Sequence, residues 1–200
     1  VFDLPTGLPA ELAPLSWLLG VWEGSGVIDY ELDDQHLAGE FTHRVSFSHD
    51  GGAYLNYSAS AWLHGADDSR TPLIAEMGYW RLARPQTGAD PGPGLLPALV
   101  EGDAPSADDV EAMRNADGGF DIEVSIVHAD GVSELYLGQI KGPRIDIATD
   151  AVMRTASAKP YAAASRMYGL VEGHLLWAWD VAALGRELGA HASARLARVD

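Results

Sequence analysis

The sequence predicts an all-β protein: about ten strands in an antiparallel up-and-down β-barrel, with a short N-terminal helix and few others. Three observations predict it. Apolar and polar residues alternate at period two through most of the chain, as in strands with one face turned inward. Short turns rich in Gly, Asp and Pro separate the alternating segments. Helical spacing is confined to stretches too short to form a core. A meander of short strands has two exposed edges, and rolling it into a barrel removes both.

Residues 9–19 carry Leu12, Leu15, Leu18 and Leu19 at three- and four-residue spacing, enough for a short helix leading straight into the first strand. Such a helix would lie across one mouth of the barrel. Alternation then runs through residues 21–30, 42–48, 54–63 and 73–83. Pro85, Pro91, Pro93, Pro97 and Pro105 exclude a strand over the next stretch. Residues 85–119 therefore read as an insertion in a single domain spanning 1–200, either a surface excursion or a lid over the cavity mouth. Within it, Ser106 before Ala107-Asp108-Asp109 has the form of an N-cap with an acidic first turn, and Val110 and Met113 give that helix an apolar side. Alternation resumes over 120–128, 133–140, 144–149, 151–157, 161–171, 174–180 and 191–198, with a further short helix expected at 181–184 before Gly185. The turns Asp50-Gly51-Gly52, Ala129-Asp130-Gly131, Lys141-Gly142-Pro143 and Glu172-Gly173 suit tight hairpins. A barrel of this strand number encloses a cavity, and such cavities hold small, largely apolar ligands.

The charge excludes several functions. Thirteen Lys and Arg against 29 Asp and Glu give −16, a field that repels phosphate backbones and anionic membrane surfaces. Neither nucleic acid nor a membrane is an expected partner. The absence of Cys removes disulfides, thiolate nucleophiles and zinc ribbons together. Val1-Phe2-Asp3-Leu4-Pro5 lacks the basic and apolar regions of a signal peptide, and no apolar run approaches the ~20 residues of a membrane span. A cytoplasmic protein is expected.

Most familiar chemistries are missing. His43 and His49 share a strand face but lie roughly 20 Å apart at ~3.3 Å per residue, too far to share an ion. His36 reads as a loop residue, and His64, His128 and His174 as solvated residues at strand ends. No His pair has metal-ligand spacing, and the GxSxG, Walker and GxGxxG motifs are absent. Asp33-Asp34, Asp67-Asp68 and Asp108-Asp109 read as solubilising loop charge. Trp177 and Trp179 share a strand face, so both lie in the cavity or both outside it. Two places stand out. In Gly20-Val21-Trp22-Glu23-Gly24-Ser25-Gly26, glycines let strands approach closely around a tryptophan that plugs the barrel bottom. In Leu188-Gly189-Ala190-His191-Ala192-Ser193-Ala194-Arg195-Leu196, one histidine opens a strand of small residues. That histidine is either a surface residue at a strand start or an imidazole with space for something flat against it.

With these segments in hand, the chain resembles the nitrobindin family, haem-binding barrels of lipocalin-like and fatty-acid-binding-protein-like form. Residues Gly20, Trp22, Gly24 and Gly26 fit its GxWxGxG motif. Val45-Ser46-Phe47-Ser48-His49-Asp50-Gly51 is similar to the strand and turn that follow, and Glu76-Met77-Gly78-Tyr79-Trp80-Arg81 to its ExGYxR strand. The segment from Trp177-Ala178-Trp179-Asp180 through His191-Ala192-Ser193-Ala194-Arg195-Leu196 resembles its last two elements, with the histidine at the expected spacing. The likeness covers nearly the whole chain except 85–119. It implies one haem b per chain near the barrel mouth, with His191 as the proximal axial iron ligand. It implies ferric iron that binds nitric oxide and isomerises peroxynitrite to nitrate, with no catalytic side chain beyond the iron. It also places Lys159 near the haem, where it could pair with a propionate. Family members usually continue after the motif into a Tyr-Pro-Thr stretch; this chain instead runs Val27-Ile28-Asp29-Tyr30-Glu31-Leu32-Asp33-Asp34-Gln35-His36, an acidic loop. Two other functions suit the same barrel: a non-catalytic haem or nitric oxide sensor or carrier, and a barrel holding a fatty acid or other small apolar ligand. Outward apolar strand faces leave a homodimer open.

Overall fold

A computed structural model of the protein describes residues 7–32, 35–65, 67 and 69–199. Residues 1–5, the Asp33-Asp34 pair and Asp68 lie outside them. The strands are β1 (Gly20–Leu32), β2 (Gln35–Ser48), β3 (Leu55–His64), β4 (Arg70–Leu82), β5 (Phe120–His128), β6 (Val132–Lys141), β7 (Arg144–Arg154), β8 (Tyr161–Val171), β9 (His174–Ala183) and β10 (Gly189–Val199). Each pairs antiparallel with its chain neighbours, and β1 pairs with β10 to close the barrel.

The seam explains the glycine motif. It runs from Val21 opposite Val199 to Ile28 opposite Ala192. A Cβ on Gly24 would stand 2.2 Å from the Arg195 carbonyl oxygen, and one on Gly26 would stand 2.3 Å from that of Ser193 and 2.5 Å from Phe41 Cζ. Trp22 is buried and donates its Nε1–H to the Leu18 carbonyl at 2.7 Å. The motif therefore builds barrel closure. Gly26→Val is expected to cost about 1–3 kcal/mol or more, because the overpacked atoms include backbone that cannot swing aside. Denaturant unfolding of the two proteins side by side checks it, and an unchanged midpoint would refute the seam argument.

The two ends of the barrel differ. A 3-10 helix, Ala10–Leu18, stoppers the end where β1 begins. Leu12, Leu15 and Leu18 are all buried in the core. Three-residue spacing aligns them on one edge of a 3-10 helix, and Pro14 within it denies an α-helical hydrogen bond. The 85–119 stretch leaves β4 and returns to β5 at this same end. Arg84 ties it down, donating to Glu11 of the stopper and through two bonds, 2.9 and 2.6 Å, to Asp90. The helix α1 (Ala107–Glu111) forms with the expected Ser106 cap, Asp109 completing a capping box, and it buries Val110. Of the two readings of this stretch, the structure matches the surface excursion: it lies at the end away from the open mouth and does not line the cavity.

Three expectations are corrected. Residues 181–184 are not a helix; β9 continues to Ala183, and the turn comes at Leu184 and Gly185, both with positive φ. Four residues are too few to repay helix nucleation when strand pairing is on offer. The segments 144–149 and 151–157 form one strand, β7, which spans Arg144–Arg154 and is interrupted only by a register shift, with Leu135 opposite Ala151 and Tyr136 opposite Thr149. The acidic loop expected after the glycine motif is a hairpin instead: β1 and β2 stay paired beyond the seam, Asp29 opposite Ala38 and Glu31 opposite His36. His36 belongs to β2 and bonds Asp29 at 2.8 Å.

Candidate functional site

Inward side chains stack in tiers between the stopper and the mouth. Above the stopper lies an aromatic tier in which Trp80, fully buried, stands 5.4 Å from Phe47 and 5.2 Å from Tyr168 between ring centroids. Above that lies a tier of charge. Arg166 on β8 donates to both oxygens of Glu76 on β4 at 2.7 and 2.9 Å, to Tyr136 Oη at 3.0 Å and to Glu134 on β6 at 3.4 Å. His128 at the end of β5 meets Glu134 at 2.6 Å and Glu76 at 3.5 Å. Tyr57 donates to Glu76, and Tyr136 and Tyr161 donate to Glu134 at 2.7 and 2.6 Å. Burial alone would push the Glu76 carboxyl up, but the Arg166 guanidinium overrides it and holds the group down at about 2. Burial likewise opposes ionisation of Glu134, yet its bonds to His128 and the nearby Arg166 keep it below the usual carboxylate value. Both carboxylates are thus ionised around one guanidinium at neutral pH.

Over this tier opens a cavity of about 260 Å³ at the end away from the stopper. Its walls include Ile28, Leu37, Phe41, Leu73 and Ile74, with Trp177 and Trp179 from β9 both facing in. Tyr30 reaches it from the part of the β1–β2 hairpin that overhangs the seam. His191 lines it from β10 because it is the extra residue of a β-bulge: Ala190 faces Asp180 and Ala192 faces Trp179. Such bulges re-aim a side chain without disturbing the rest of a ladder. The imidazole lies 4.9 Å from the Tyr30 ring and 5.5 Å, edge-on, from Trp179. It forms no hydrogen bond to any described residue, and burial lowers its pKa, favouring the neutral ring. Trp179 is fixed from behind, with the Arg166 guanidinium 4.3 Å from its centroid.

The chain matches the family model described as "THAP4-like, heme-binding beta-barrel domain" over residues 11–198. It belongs to that family. Relatives agree along the full length. The chain is 62% identical over 200 residues to a protein of Leifsonia xyli subsp. xyli named peroxynitrite isomerase, covering 100% of both. It is 60% identical, again over 200 residues and all of both chains, to one of the same name from Clavibacter michiganensis subsp. michiganensis. A third of that name, from Pseudarthrobacter chlorophenolicus, is 54% identical over 98% of each. The crystal structure of Rv2717c from M. tuberculosis shares the fold at a TM-score of 0.67, with 24% identity, over 99% of this chain and 100% of that one.

The family's prosthetic group fits the residues present. A neutral imidazole without a hydrogen bond to any described residue, in a cavity with aliphatic and aromatic walls over a charged floor, is a suitable fifth ligand for haem iron. The small neighbours Ala190 and Ala192 leave its approach clear. Lys159 is exposed in the turn after β7 and does not line the cavity. The sequence reading missed His128, which is buried rather than solvated, and it assigned no role to His43, Glu76, Glu134 or Arg166. Strand parity carried the signal. His128 continues the inward series Phe120, Ile122, Val124 and Ile126, and Arg166 lies between the inward Ala164 and Tyr168.

His43 supplies a pH dependence. It accepts the Trp177 Nε1–H on Nδ1 at 2.9 Å, and burial lowers its pKa from 6.5 to about 4, with Glu76 opposing and Arg166 reinforcing the shift. Above pH 6.5 the group is neutral folded or unfolded and stability is indifferent to it. Below that value the unfolded chain takes a proton that the folded one refuses, so stability falls by about 3 kcal/mol by pH 4. His43→Gln keeps an acceptor for Trp177 and removes the titration. Its unfolding free energy is expected to decline less over that window, as measured by urea titration at several pH values; an identical slope would contradict the assignment.

Proposed function

We propose that this chain binds one haem b through His191 at the barrel mouth and isomerises peroxynitrite to nitrate. The observation that carries the reading is His191 itself, a bulge residue turned into the cavity without a hydrogen bond to any described residue. Haem bound there would supply an iron centre able to act on a peroxide bond. The protein's part is to hold and exclude. His191 would hold the macrocycle, Trp179 and Tyr30 would limit rotation of the imidazole, and the aliphatic and aromatic part of the wall would displace water from that side. Nitric oxide belongs to this reading as a second small ligand of the same site, and the cytoplasm as its place of action. No helix among the described residues is long and apolar enough to cross a membrane.

The charged tier argues against a fatty acid in the cavity. Arg166 already donates to Glu76, Glu134 and Tyr136, so a fatty-acid carboxylate would meet two carboxylates around an engaged guanidinium. Unpaired like charge in such a site is strongly unfavourable. The experiment is a hemin titration followed by visible absorption, then peroxynitrite decay with and without the loaded protein. A stoichiometric Soret shift with accelerated decay to nitrate is expected. A Soret shift without acceleration would leave a haem carrier, and no shift would refute the haem.

A further inference from the structure

The chain has four Met and no Cys. Three of its methionines stand where methionine is seldom found. Met77, Met153 and Met167 are 66%, 70% and 41% exposed on the outer wall, whereas methionine is ordinarily a buried residue. Met113, just after α1, packs against the core. Met77 and Met153 fall on one row across four strands: Met77 faces Val127, Val127 faces Ser133 and Ser133 faces Met153. Three strand spacings separate them, ~14 Å at ~4.8 Å each. None of the three outer methionines lines the cavity. Strand propensity favours β-branched or aromatic residues at such positions, so pairing alone does not ask for a thioether.

We propose that the outward methionines are a second, stoichiometric sink for the oxidant, separate from the haem site. The identity of that oxidant rests on the peroxynitrite reading above. The thioether sulfur attacks the terminal peroxidic oxygen of peroxynitrous acid. A sulfur–oxygen bond forms as the oxygen–oxygen bond breaks, nitrite departs, and the proton of the acid passes to water. Sulfur loses two electrons, the peroxide bond gains them, and methionine becomes its sulfoxide. Because these side chains point outward, the new polar oxygen enters solvent instead of the core, and the barrel survives the oxidation. Products distinguish the two routes, since isomerisation yields nitrate and the sulfur sink yields nitrite.

The test exposes the full-length protein, with and without hemin, to limiting peroxynitrite. Peptide mass spectrometry locates added oxygen, and ion chromatography measures nitrite and nitrate. The comparison protein carries Met77→Leu, Met153→Leu and Met167→Leu, exchanges that conserve volume on an exposed face. Oxygen is expected at the three outer methionines before Met113, with one nitrite above background for each methionine oxidised. That excess is expected to vanish in the triple variant, whose melting temperature and hemin titration stay unchanged. Equal oxidation of Met113, or unchanged nitrite from the variant, would overturn the sink. Failure of the isomerase reading looks different: hemin-loaded protein would make no extra nitrate while the hemin-free chain still oxidised these methionines.

Discussion

Replacing His191 by alanine is expected to lower hemin affinity by about 100-fold or more, a loss of ~3 kcal/mol, and to shift or broaden the Soret band. The side chain makes no hydrogen bond to a described residue, so its removal leaves no buried partner unsatisfied. Stability of the hemin-free protein should therefore change little, and the melting temperature serves as the control. Both effects follow from one placement: the bulge turns the imidazole into the cavity, where it hydrogen-bonds no described residue. A variant that bound hemin as tightly as the parent would remove His191 from the site, whatever its fold. Trp179→Ala should weaken binding less, through lost restraint of the imidazole, and Trp179→Phe should recover part of that loss.

Arg166→Met is expected to be the most damaging single change to stability. It leaves Glu76 and Glu134 buried without their guanidinium, and breaking a buried pair in this way costs about 3–5 kcal/mol. For a domain of this size that corresponds to a fall in melting temperature of ~10 °C. Neutralising the abandoned carboxylate should repair part of the damage, so Arg166→Met with Glu76→Gln is expected to be more stable than Arg166→Met alone. Calorimetry of the two single variants and the double variant measures that coupling directly. Strictly additive effects would mean that the two groups do not compensate one another's charge.

How much of this was legible in the sequence depends on the physical length scale of each feature. Period-two alternation and turn chemistry are local, and they placed β5 and β8 at Phe120–His128 and Tyr161–Val171 to the residue. The Ser106 cap is local too. The stopper was visible as leucines at three- and four-residue spacing, although the helix is 3-10 and not α. The charged tier was not seen because its members come from β4, β5, β6 and β8, and only closure of the barrel brings Glu76 within reach of Arg166. Strand parity turns His128 and Arg166 inward, but it does not say which other strands they will meet. His191 attracted notice for its small neighbours, yet the bulge that turns it inward is a property of its pairing with β9 and leaves no mark in β10 alone. The role of 85–119 was undecided for the same reason: which end of a barrel a loop leaves from is set by strand count and direction, and its composition does not encode it.

Among the described residues, the stopper leaves the mouth as the doorway to the cavity. Reactant, product and macrocycle must pass the same opening, in turn and never together, so traffic at the doorway sets an order of events. An anion lingering there after a turnover delays the next arrival, and it also obstructs the departure of the cofactor. Product should therefore slow turnover and slow cofactor loss together, a pairing that a barrel open at both ends would not impose.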